Sequence, residues 1–166
     1  MPTNRLAKAT WLITRLPAAL HTPLLSLLIG SQVKFAGTGR IRVHHLGRDR
    51  AVMSLANRKR VQNHIGGVHA AAMALLAESA TGILVGMSVP DTRIPLIRTL
   101  HVDYLRRASG GLRAEARLSS EQLRQIEDEE KGEVTVEVRV TDESGAEPIR
   151  CQMVWAWVPR RKDRVD

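Results

Sequence analysis

The sequence predicts an α+β domain in which a curved antiparallel sheet wraps around one long apolar helix. Three observations carry this. Downstream of Gly30 the hydrophobic pattern has mostly a period of two, the signature of strands with one buried face. A single stretch, "NHIGGVHAAAMALLAESATG" from Asn63 to Gly82, breaks that pattern with a polar, glycine-bearing turn followed by a nearly pure Ala, Leu and Met run. One helix that is apolar almost all round needs burial on most sides, and a strongly curved sheet supplies it.

The elements follow in order. Residues 1–30 are expected to be an N-terminal helical extension, 31–160 the main domain and 161–166 a basic tail. "LPAALHTPLLSLLIGSQV", Leu16 to Val33, carries no charge and approaches the length of a membrane span, but Pro17, His21, Pro23 and its hydroxyls weaken that reading. Proline suits the first turn of a helix, so Pro17 and Pro23 are expected to open short amphipathic helices docked on the domain. Membrane contact by this segment stays open but is not favoured, and nothing resembles a signal peptide. "GRIRVHHLG" reads as an edge strand. After the long helix, "LIRTLHVDYLRRA" places Leu100, Val102 and Tyr104 on one face, and "GLRAEARLS", "EVTVEVRVTD" and "IRCQMVWAWVP" alternate cleanly. Turns at "SGG" and "DESGAEP" separate them. "SSEQLRQIEDEEKG" reads as an acidic, solvated connection with room for a helical turn.

The 166 residues suffice for one domain with a sizeable core, and 43% are hydrophobic. The single cysteine, Cys151, cannot form an intrachain disulfide, which fits a cytoplasmic protein. The net charge of +8 does not make a nucleic-acid protein: aromatics are 3%, only five of the basic residues are lysine, the arginines are scattered, and no binding motif occurs. His21, His44, His45 and His101 show no metal-ligand spacing, so no metal is expected.

Glu78 is the anomaly. A carboxylate inside an apolar helix is costly without a partner, so it is either paired structurally or chemically employed. Upstream, the Gly66-Gly67-Val68-His69-Ala70 turn presents helix-start N–H groups that have no intrahelical partner and lie at the positive end of the dipole. Such N–H groups can hold an oxyanion, with Ala70 as the candidate donor, while a carboxylate attacks or activates water: the two needs of thioester hydrolysis. Thr81, one turn beyond Glu78, could position that water. Asn63 could orient the carbonyl or the water, or serve only as a turn residue. Arg106 and Arg107 could meet phosphates or be merely solvated. His69 and Glu78, nine residues apart, lie roughly 900° and about 13 Å from each other on a helix. They face opposite sides, so they can share a substrate only across a two-fold axis.

The predicted arrangement is that of a hotdog fold, and residues about 40 to 158 resemble the phenylacetyl-CoA thioesterase-like hotdog family. That family's motif is Asn, two spacers, Gly, two spacers, His-Gly-Gly, then an acid nine residues after the His. Asn63, Gly66, His69 and Glu78 match its spacing, and "DYLRRASGGLRAEARL" resembles its third and fourth strands. This chain has Ala70-Ala71 in place of the two glycines and Glu78 in place of the usual Asp. The resemblance implies an acyl-CoA or aryl-CoA thioesterase from an uncharacterised subfamily with an N-terminal helical extension. On that reading Glu78 is base or nucleophile, Gly66 and Gly67 touch the substrate, coenzyme A enters only as part of the substrate, and no cofactor is needed. It also implies active sites built between subunits of a homodimer or a dimer of dimers. The alternative is a non-catalytic acyl- or lipid-binding protein; a hotdog dehydratase would require a different motif.

Overall fold

The structure, a computed structural model, describes residues 4–160; the tail expected at 161–166 lies outside the described residues. The chain opens with α1 (Arg5–Thr14), a 3₁₀ turn (Ala18–Leu20), α2 (His21–Gln32) and α3 (Lys34–Gly39). Strands β1 (Arg42–Leu46) and β2 (Arg50–Leu55) precede a 3₁₀ turn (Lys59–Val61) and the central helix α4 (Ala70–Gly86). Then come β3 (Arg93–Tyr104), β4 (Leu112–Arg117), α5 (Ser120–Asp128), β5 (Gly132–Asp142) and β6 (Ile149–Pro159). The six strands form one antiparallel sheet in the order β1-β2-β4-β5-β6-β3, with β1 at an edge as expected. A sheet of this order closed over one helix is the hotdog fold.

The alternation seen in the sequence is what the sheet buries. Leu112, Ala114 and Ala116 of β4, Val134, Val136 and Val140 of β5, and Ile149, Met153, Trp155 and Trp157 of β6 are buried with Leu76, Ala77, Ala80 and Leu84 of α4. Fully buried side chains such as Leu76 and Leu84 each contribute about 1.5–3 kcal/mol. On its Trp155 side Gly82 leaves no room: a Cβ there would run into the Trp155 ring, so only glycine fits. The Trp155 indole N–H is satisfied by Thr81 Oγ1 at 2.9 Å, and that of Trp157 by the Glu129 carbonyl at 2.8 Å.

Three local expectations are corrected. Residues 1–30 hold two helices, α1 and most of α2, as expected, but neither is opened by a proline at its start, and a third helix, α3, follows before the first strand. The first helix starts at Arg5, capped by Asn4 Oδ1, which accepts from the Ala7 N–H. Asn4 Nδ2 also donates to the Gly86 and Val89 carbonyls, pinning α1 to the end of α4. Pro17 precedes only the 3₁₀ turn, and Pro23 sits in the first turn of α2. That helix runs through residue 30 and is tied to β1 by the Val43 N–H, which donates to Ser26 Oγ at 2.9 Å. Second, the acidic connection contains a nine-residue helix, α5, with a capping box between Ser119 and Gln122 and a fully buried Ile126. Third, the face of β3 expected to be buried is largely open: Leu100 and Tyr104 are exposed and Val102 half-buried. β3 is the far edge strand, and a register shift between Ile97 and Thr99 interrupts its pairing with β6.

Candidate active site

The turn before α4 is built by one side chain. Asn63 Oδ1 accepts from the N–H groups of Ile65 and Gly67, both at 3.1 Å, while the Asn63 N–H donates to the Gly67 carbonyl. Gly66 has φ +77°, a conformation that glycine adopts without strain. The His69 N–H then reaches back to the Val61 carbonyl at 2.7 Å, which fixes where α4 begins. Asn63 is thus the turn-maker, and its carboxamide oxygen is not free to orient a substrate.

His69 is the N-cap of α4. Its Nδ1 accepts from the Ala71 N–H at 3.1 Å, and its carbonyl accepts from Ala72 and Met73. An accepting Nδ1 carries no proton, so a neutral ring here has its proton on Nε2. Of the helix-start donors, the Ala70 N–H has no partner among the described residues. Ala70 and Ala71 are both exposed, so this end of α4 is open.

From there a stripe of Ala70, Ala74, Glu78 and Gly82, four residues apart, runs along the only face of α4 that the sheet leaves partly uncovered. Glu78 is half-buried on it. Its carboxylate has no hydrogen bond and no ion pair among the described residues, and burial pushes its pKa above the ordinary glutamate range. The structurally paired Glu78 that composition allows is therefore absent. His69 and Glu78 stand at opposite ends of nine helical residues, as the spacing required.

The remaining candidates separate. Thr81 is buried: its hydroxyl lies against the Ala77 and Glu78 carbonyls and accepts from Trp155, so it holds the helix to the sheet rather than a water. Arg106 is committed to the buried Asp142 at 2.9 Å and to Ser144, so its charge is not available to a phosphate. Arg107 does reach the site region, donating to the Ile65 carbonyl at 3.1 Å. Gly66 and Gly67 lie in the same turn.

Sequence reasoning missed Tyr104, whose hydroxyl donates to the Ala70 carbonyl at 3.0 Å and so fastens the end of β3 over the start of α4. The only available signal was its place as the chain's one tyrosine, just before the paired arginines. Among the described residues no cluster of His, Cys, Asp or Glu has the form of a metal site.

The fold is shared with a protein of unknown function from Pseudomonas aeruginosa described as a probable thioesterase, at 27% identity and a TM-score of 0.74, over 87% of this chain and 97% of that one. A thioesterase from the same organism aligns at 18% identity and TM-score 0.66, over 80% and 93% of the two chains. A Haemophilus influenzae thioesterase aligns at 13% and 0.61, over 78% and 86%. This is the hotdog class of thioesterase-like proteins. Within it, the chain belongs to the family described as a domain of unknown function, DUF4442, whose model matches residues 22–158. No curated protein matches the sequence.

Proposed function

We propose that this protein hydrolyses the thioester of an acyl- or aryl-CoA. The observation that carries the reading is Glu78: a half-buried carboxylate without a partner, on the one open stripe of a buried helix. Ionised, it either attacks the thioester carbon, giving an acyl-enzyme anhydride, or takes a proton from a water that attacks. In both routes the carbonyl oxygen becomes an oxyanion that the free Ala70 N–H stabilises, and its collapse expels the coenzyme A thiolate. The thioesterase-like relatives support this chemistry.

Because His69 stands about 13 Å and half a turn from Glu78, and Ala70 about 12 Å from it along the same stripe, each site is completed by a second copy. The exposed Leu96, Leu100 and Tyr104 of β3, beside the small-residue stripe of α4, support a homodimer through this edge.

The test is a screen over acyl-CoA chain lengths and aryl-CoAs with a free-thiol readout. The protein's own thiol does not compete: Cys151 is half-buried, and burial pushes its pKa up to about 11. Glu78→Gln should lower kcat by roughly 10² or more with KM little changed. A folded Glu78→Gln variant with near-wild-type turnover overturns the assignment; tight binding without turnover in the wild type favours the non-catalytic acyl-binding alternative.

A further inference from the structure

The charge of this protein is not spread over it. Seven Lys or Arg and no Asp or Glu precede Asp49, which leaves eighteen bases against seventeen acids in the rest of the chain. Almost the whole excess therefore belongs to residues 1–48, the stretch that holds α1, α2, α3 and β1. The same segment carries six of the large apolar side chains left exposed: Trp11, Leu12, Leu16, Leu20, Leu27 and Phe35. Leu27 and Phe35, 69% and 63% exposed, are the most open of all.

These residues are organised. Between Trp11 and Leu20 every residue but Ile13 is exposed, so the end of α1 and the 3₁₀ turn form a projecting apolar tip. Its one charge, Arg15, lies 3.8 Å from the centre of the Trp11 ring. Leu20 and Leu27 are seven residues apart and share the outward side of α2, opposite the buried Leu25 and Ile29. Leu27 also lines a groove of about 710 Å³ between α2, α3 and β1 whose charged walls are Lys34, Arg40, Arg42 and Arg58, with no acid.

We propose that this end of the molecule docks on the surface of an anionic phospholipid bilayer. The apolar tip and Leu27 enter the interface, and the groove's cations meet lipid phosphates. Trp, Leu and Phe beside Lys and Arg on helices lying in the plane of the interface are the chemistry such a surface recognises. No helix among the described residues is long and apolar enough to cross a bilayer, so the contact is peripheral. A second copy of the chain is the poorer occupant, because Arg15 of the tip and Lys34, Arg40, Arg42 and Arg58 of the acid-free groove repel their own copies. A nucleic acid would leave the leucines without partners, since aliphatic side chains offer bases no stacking surface. The inference does not rest on the thioesterase reading.

The experiment is co-sedimentation of the full chain with vesicles of phosphatidylcholine alone or with 30% phosphatidylglycerol, at low and high salt. Binding should require phosphatidylglycerol, fall with salt, and move Trp11 fluorescence to shorter wavelength, the shift vanishing in Trp11→Phe. Leu16→Gln combined with Leu20→Gln, and separately Lys34→Glu with Arg40→Glu, should each weaken binding at least tenfold. All four positions are exposed, so an unchanged Tm should accompany each loss. No sedimentation with either vesicle overturns the proposal. So does equal binding to both, or lipid-free self-association abolished by the leucine variants.

Discussion

At the scale of single residues, the unpartnered Glu78 has consequences for both rate and stability. Its pKa is raised in the folded chain because desolvation disfavours the charged form. A group raised on folding stabilises the fold fully when protonated and loses that contribution as pH rises through its folded pKa. Above that folded pKa the ionised Glu78 therefore weakens the fold, and there Glu78→Gln should raise Tm, or leave it unchanged, while lowering kcat by roughly 10² or more. A structurally paired glutamate would give the reverse, so a lower Tm in the variant counts against the reading. The acid limb of kcat/KM should lie above the ordinary glutamate range, since only the carboxylate reacts. Asp142 behaves oppositely. Hydrogen bonds from the Ser144 hydroxyl and the Ser109 N–H hold its pKa down to about 2, and Arg106 adds to this. Its stabilisation is complete above the unfolded carboxylate range and lost as pH falls through about 2. Asp142→Asn should cost about 2 kcal/mol at neutral pH, measured by denaturant unfolding, with little change in the KM for acyl-CoA. A large rise in KM would instead return Arg106 to the substrate. Spacing made His69 and Glu78 legible because both sit on one regular helix. Thr81 and Arg106 were not legible: their partners, Trp155 and Asp142, lie 74 and 36 residues away, and no local pattern reports such pairings.

At the scale of elements, α4 shows how packing overrides propensity. Gly82 lies inside the helix, where alanine is intrinsically favoured by about 1 kcal/mol. Its missing Cβ is the space that the Trp155 ring fills, and that ring is held by the Thr81 hydroxyl. Gly82→Ala should therefore lower Tm despite the gain in helix propensity, because overpacking a filled core costs about 1–3 kcal/mol. A calorimetric increase in Tm would show that the indole can shift. The strands β4, β5 and β6 were readable because each has one buried face and one wet face. The length of β3 and the exposure of its apolar face were not, since a period of two does not distinguish a covered face from one awaiting a partner. α5 was missed because its acidic composition hid an amphipathic pattern with one deep anchor, Ile126.

At the scale of the whole molecule, the proposed sharing of sites can be tested by mixing defects. One subunit carries His69→Ala and the other Glu78→Gln, each poor as a homodimer. Random re-pairing makes about half the dimers mixed, and each mixed dimer has one intact site in two, so about a quarter of wild-type activity should return. The rescue should appear only after co-expression or refolding together. Its absence, with mixed dimers verified by mass spectrometry, would place each site within one chain. The strand order carries a further consequence for how the chain is made. α4 is covered by β2, which precedes it, and by β3, β4, β5 and β6, which all follow it in sequence. When Gly86 is added to the growing chain, most of the surface that will enclose this apolar helix has not been synthesised. About 70 more residues must follow, roughly 4–15 s at ordinary elongation rates. During that interval the nascent chain displays Leu76, Leu84 and Val85 without most of their native cover, a natural target for a chaperone acting on unfinished protein.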